Sequence, residues 1–173
     1  PQDIRHKAPR SVDARTAPVL ADWGNPRLDE LQPGRQVDII RAPRSTGSIL
    51  KPLLYCAAMQ DGDILPRTRL PDIPINVNGF APQNFSLQFE GAVPAAEVIA
   101  RSLNVPSVVL LRRYGVPKFY DFLKRAGLTT LRRPASHYGL SLILGGAEAT
   151  LWDGTAAYGD MARCLEGQPR IPL

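Results

Sequence analysis

Two short clusters in this chain hold residues that could do chemistry. The first is Ser48-Ile49-Leu50-Lys51. Residues three apart share one face of a helix, so the Lys51 amine can approach the Ser48 hydroxyl. A serine is a weak nucleophile until a neighbouring base takes its proton, and a lysine whose pKa is lowered by burial can be that base. At a helix N-terminus, backbone N–H groups also favour the negative charge that develops on an oxygen during acyl transfer. Gly47, preceded by Thr46, leaves room for a substrate backbone to come close. Taken alone, the tetrapeptide is a weak signal and reads better as a capped helix with a solvated lysine. Its setting argues otherwise: Lys51 is the only charged residue between Arg44 and Asp61. A lysine buried among apolar residues needs a partner or a purpose.

The second cluster is Ser102-Leu103-Asn104, 54 positions after Ser48. Pro106 pushes Val105 towards an extended conformation, which predicts a tight exposed turn at the tripeptide. Side chains 102 and 104 would then point the same way. By itself Asn104 reads as the cap of the following helix.

These residues must be positioned by the elements around them. Ile49, Leu50, Leu53, Leu54, Ala57 and Ala58 recur at helical spacing from Ser48 to Gln60, and Gly62 closes that segment. Pro52 in its first turn removes only an N–H that is unpaired there or nearly so. Residues 61–93 are rich in proline and asparagine with little periodicity, and are expected as a long irregular, functional loop. Three helices should follow: one opened by Pro94 with Ala95, Val98, Ile99 and Ser102 on one face, one from Val108 to Tyr114 opened by Pro106, and one opened by Pro117 that buries Phe119, Phe122, Leu123 and Ala126 before Gly127. Gly139–Gly146 is an apolar run bounded by glycines, either a buried strand or a packed turn. A last helix begins near Thr150 and includes Leu151, Ala156, Tyr158, Met161, Ala162 and Leu165. Upstream, Ser11–Ala14 and Val19–Trp23 read as a β-hairpin. Residues 24–44 read as a surface connection with a short strand at Gln36–Arg41, and residues 1–10 as a disordered or foreign polar segment. The sum is an α-rich α+β chain.

Composition bounds the function. The 173 residues carry Lys+Arg 21 against Asp+Glu 16, a net charge of +5, without a basic stripe interleaved with aromatics, so nucleic acid is not indicated. Apolar runs such as Val108–Leu111 fall far short of a membrane span. Cys56 and Cys164 have no metal-ligand spacing to each other or to His6 and His137, so no metal or cofactor is expected, and both read as core thiols outside a disulfide.

The two clusters, in this order, resemble two signatures, Ser-x-x-Lys and Ser-x-Asn, of the penicillin-binding serine D,D-transpeptidases. The surrounding text adds to the likeness. Arg44-Ser45-Thr46-Gly47-Ser48-Ile49-Leu50-Lys51-Pro52 is similar to the nucleophile segment of the bifunctional, class A members. Phe80-Ala81-Pro82-Gln83-Asn84-Phe85 and Ala100-Arg101-Ser102-Leu103-Asn104-Val105-Pro106 are similar to their second motif and its lead-in. Leu144–Leu151 with Ala156-Ala157-Tyr158 resembles a later stretch, and Arg41–Arg44 with Ala147–Trp152 resembles the 1C branch. The resemblance runs from about residue 11 to about 165.

It implies a penicillin-binding transpeptidase or serine β-lactamase-like fold, a helical subdomain with an incomplete antiparallel sheet. Residues 11–173 would be the N-terminal part of that domain. It implies Ser48 as acylated nucleophile, Lys51 as its base, Ser102 as a proton relay to the leaving amine, and Asn104, with Gly47, as a contact to the substrate backbone. The partners implied are peptidoglycan stem peptides ending in D-Ala-D-Ala and the β-lactams that mimic them. The implied location is the cell envelope, on the periplasmic face of the inner membrane, with membrane contact only through an N-terminal anchor missing here. One departure stands out: none of Lys7, Lys51, Lys118 and Lys124 begins the family's third signature, Lys-Thr/Ser-Gly. In the family that motif lies on a central strand facing the nucleophile. The chain is therefore expected to be an internal fragment, prone to aggregation where the sheet is lacking. A non-catalytic penicillin- or peptidoglycan-binding remnant is the alternative from another class, and a D,D-carboxypeptidase or β-lactamase the other enzymatic one.

Overall fold

In a computed structural model that describes residues 10–12, 19–22 and 38–167, the chain divides into two units. One is built from Ser45–Leu123 and Arg132–Ala147. Its centre is helix α1, Lys51–Gln60, in which Leu53, Leu54, Tyr55, Ala57 and Ala58 are all buried. The helix starts at Lys51 rather than Ser48: residues 47–50 form a turn, with Gly47 in the left-handed region at φ +51° and the Lys51 N–H donating to the Ser48 carbonyl at 3.1 Å. Pro52 does fall in the first turn, and Gly62, at φ +77°, follows the C-terminal end.

The segment expected to be irregular contains an antiparallel pair. Strand β4 (Arg69–Asp72) faces β5 (Gly91–Pro94) in the register Arg69↔Pro94, Leu70↔Val93, Pro71↔Ala92 and Asp72↔Gly91. Burial alternates along β4, with Leu70 and Asp72 inside. The prolines that read as breakers sit at alternate ladder positions, where a two-stranded pair can do without their N–H. Strand β5 runs directly into helix α2, Ala95–Arg101.

Helix α3 spans Asn104–Tyr114 and stops at Gly115, φ +99°. It begins ahead of the expected Val108, and Val105 is helical despite Pro106; the extended residue is Leu103. Helix α4, Val116–Arg125, buries Phe119 and Leu123, four residues apart, with Phe122 stacked beside Phe119 at a centroid distance of 6.1 Å. A buried leucine or phenylalanine contributes about 1.5–3 kcal/mol, and α1, α3 and α4 together with Leu142 and Ile143 form an apolar centre of such residues. The glycine-bounded run is neither strand nor simple turn: after the short helix α5 (Ala135–Tyr138) it is a 3-10 helix, Gly139–Leu144.

The second unit comprises Pro1–Arg44, Lys124–Leu131 and Glu148–Leu173. Its hairpin strands β1 (Arg10–Val12) and β2 (Val19–Asp22) pair antiparallel with an irregularity between Ser11 and Val12. Strand β1 thus opens one residue earlier than read, and the remaining N-terminal residues lie outside the described ones. No strand forms at Asp38–Arg41, where the Asp38 carboxylate accepts the N–H groups of Ile40 and Arg41 at 3.0 and 3.2 Å and turns the chain; Gln36 and Val37 lie outside the described residues. The last helix, α6 (Leu151–Leu165), starts as expected, with Thr150 Oγ1 accepting the Asp153 N–H at 2.9 Å. Its face differs from the expected one. Asp153, Ala157 and Arg163 are buried, whereas Leu151 and Leu165 are exposed. Asp153 explains its own burial, since its Oδ2 accepts from both the N–H and the hydroxyl of Thr129. Two further short strands are β3 (Arg44–Ser45) and β6 (Glu148–Ala149). Neither Cys56 nor Cys164 forms a disulfide; Cys56 is half-buried and Cys164 exposed, not core.

Candidate active site

The turn that carries Ser48 is braced from behind. Thr46 donates its N–H (3.0 Å) and its hydroxyl (3.2 Å) to the Ala147 carbonyl, and Ser45 Oγ donates to the Gly145 carbonyl at 2.8 Å. Gly145 has φ +98°, and a Cβ built there would lie 2.6 Å from Ser45 Oγ and 2.9 Å from Gly47 Cα. Only glycine fits that position, on both backbone and space. The braced turn leaves Ser48 exposed, immediately ahead of α1, with no side-chain hydrogen bond among the described residues.

Lys51 is the opposite case. Its side chain is 1 % exposed, among the largest fully buried in the chain. Nζ donates to the Ser102 carbonyl at 2.7 Å, to Asn104 Oδ1 at 2.7 Å and to Ser102 Oγ at 3.2 Å. All three acceptors are neutral, and no carboxylate pairs with Lys51 among the described residues. Burial without a counter-charge pushes its pKa from 10.5 down to about 8. An ammonium so placed is easily made into an amine, and an amine has the lone pair a base requires. The three N–H bonds point at the second cluster, not at Ser48, so the expected Ser48–Lys51 proximity stands here as one turn of chain rather than a hydrogen bond.

The second cluster is a turn, as expected, but built differently. Ser102 is the left-handed residue that ends α2, φ 53° and ψ 42°. Leu103 is extended, and Asn104 is already the first residue of α3. Side chains 102 and 104 do point the same way, both to Lys51 Nζ. Asn104 is not the helix cap. Its Oδ1 is occupied by Lys51 and its Nδ2 donates to the Gln83 carbonyl at 2.9 Å. The cap is Asn84, whose Oδ1 accepts the N–H of Asn104 (3.0 Å) and of Val105 (3.1 Å) from 20 residues upstream. Pro106 needs no such partner. Asn84 is in turn fixed by donating to Asp72 Oδ1 at 2.7 Å and to the Gln88 carbonyl at 3.0 Å.

Asn84, Asp72 and Gly145 are thus site-building residues that motif reasoning left without a role. For Asn84 the signal was present, in the segment Phe80–Phe85; for Asp72 there was none beyond a charge amid prolines. The arrangement joins an exposed hydroxyl at a helix start to a buried, readily deprotonated amine with a second hydroxyl and an amide around it. That set can activate a nucleophile and hand a proton onward, the needs of acyl transfer.

Known proteins are similar to this chain over most of its length. Residues 11–162 match the family model described as penicillin binding protein transpeptidase domain. Penicillin-binding protein 1C of Escherichia coli K12 is 41 % identical over 142 residues, which cover 79 % of this chain and 18 % of that protein. Penicillin-binding protein 1A of Neisseria meningitidis serogroup B is 30 % identical over 147 residues, 81 % of this chain and again 18 % of the relative. This chain therefore spans less than a fifth of the length of these relatives. The penicillin-binding protein PonA1 from Mycobacterium tuberculosis, solved in complex with penicillin V, superposes with a TM-score of 0.74 at 22 % identity, covering 92 % of this chain and 44 % of that one, which shows a shared fold. A family match over most of the chain, with both clusters inside it, makes this chain a member of the penicillin-binding protein transpeptidase family.

Proposed function

We propose that this chain carries the acylation centre of a peptidoglycan D,D-transpeptidase. Ser48 Oγ attacks the carbonyl carbon of the penultimate D-Ala of a stem peptide while Lys51, as the amine, takes the hydroxyl proton. The C–N bond to the terminal D-Ala breaks, and a proton delivered through Ser102 leaves with its amine. An amine from a neighbouring stem peptide then attacks the ester, forms the cross-link and frees Ser48. Asn104 holds the substrate backbone, and Gly47 lets it approach. A β-lactam undergoes the first half only: its ring amide opens on Ser48 and the leaving amine stays tethered. The proposed location follows from the substrate, the periplasmic face of the inner membrane. The observation that supports this reading best is Lys51, fully buried, without an acid, and bonded to both residues of the second cluster.

Incubation with a fluorescent penicillin, followed by mass spectrometry, tests it. Stoichiometric label on Ser48, absent from Ser48→Ala, is expected. Absence of label from the parent chain overturns the proposal. A second reading is penicillin binding without turnover. Labelling without transfer to an added acceptor amine distinguishes it.

A further inference from the structure

We infer that Asn84 is a positioning residue for the acylation centre, the pivot through which the β4–β5 pair sets the place of Asn104 and hence of Lys51. The inference rests on the acyl-transfer reading for its consequence, but its geometry stands apart from it. Helix α3 has no cap of its own, because the residue before it is Leu103. Its first two N–H groups converge on one oxygen, Asn84 Oδ1. Asn84 is 2 % exposed, so water cannot replace it. The amide cannot turn over either. Asp72 has no exposure and is an acceptor only, so the NH2 end must face it and the oxygen must face Asn104. Asp72 is itself tied by its other oxygen, which accepts the Glu90 N–H at 3.0 Å. The neighbouring Gln83 carbonyl holds Asn104 Nδ2, so residues 83 and 84 grip Asn104 by side chain and backbone together. The face of Asn104 left over is the oxygen that Lys51 uses. Among the described residues, the Asn104 amide has no side-chain hydrogen bonds besides those to Gln83 and Lys51, so the Gln83 carbonyl decides which end meets the ammonium.

Misplacing a catalytic group by about 1 Å costs on the order of 10²-fold in rate. In Asn84→Ala, the rate constant for penicillin labelling of Ser48 at saturating reagent should fall by about that factor. Hydrogen exchange at the Asn104 and Val105 amides should accelerate at least about tenfold, while Phe119 and Leu123 keep parental protection. A merely structural role predicts something else: less protein labelled, with an unchanged rate constant in the labelled fraction. Labelling at the parental rate constant, or unmoved exchange at Asn104 and Val105, overturns the inference. If Asn84→Ala fails to fold, the near-isosteric Asp72→Asn decides by the same two readouts, with smaller changes of the same sign. If the parent chain takes no label, acyl transfer fails as a reading, and the exchange measurement still decides whether Asn84 sets Asn104.

Discussion

Lys51→Met isolates the energetics of the buried lysine. Methionine keeps an unbranched chain of similar length and removes the charge. Holding a charge whose pKa drops from 10.5 to about 8 weakens the folded chain by about 3 kcal/mol. Below about pH 8 the lysine is protonated in both folded and unfolded chains, and the folded chain bears the whole penalty. Between about pH 8 and 10.5 the folded chain has lost its proton and the unfolded chain has not, so stability rises with pH. Above that range the penalty is gone. The stability of the parent minus that of Lys51→Met, measured by urea unfolding, should therefore grow by about 3 kcal/mol from pH 7 to pH 10.5. Tyr55 runs the other way: burial raises its pKa, so the unfolded chain ionises first and stability falls in strong alkali, but this is common to both proteins and cancels. At pH 7 the variant should remain folded and take no penicillin label. Parallel pH curves for the two proteins would refute the assignment of an unpaired buried ammonium.

Gly145→Ala would force a methyl against Ser45 and Gly47 in a left-handed backbone; labelling of Ser48 should slow at least about tenfold with a loss of about 1–3 kcal/mol, and parental values on both counts would mean the turn is not braced there. Ser102→Gly relieves a left-handed serine while removing its hydroxyl, so the free energy of unfolding should stay level or rise by up to about 1 kcal/mol as labelling is lost; a clear drop in stability would place the hydroxyl's bond to Lys51 above the backbone strain.

Most of the helices were legible in the sequence because prolines and glycines bracket them and Phe119 and Leu123 repeat at helical spacing. The β4–β5 pair was not, since Pro71 and Pro94 speak locally against strands and only the facing register shows why they are tolerated. The apolar spacing that included Leu151 and Leu165 misled at α6, because Asp153 found partners in Thr129 and could be buried. At the site, the two clusters were readable from residue types. Their junction was not: a lysine three residues from a serine predicts a contact along one helix, whereas Lys51 spends its hydrogens on residues 51 and 53 positions away in the chain. Asn84 as cap is invisible to rules that look for a cap next to its helix.

That remote cap also bears on how the site comes and goes. A helix start is the costly part of helix formation, and α3 cannot complete its own from neighbouring residues. Its first turn waits on a contact closed across the β4–β5 connection, so the hairpin and the asparagine at the site form one opening unit. Local fraying at Glu90, just ahead of β5, would then release Asn104 and the first turn of α3 and switch the lysine environment off with them.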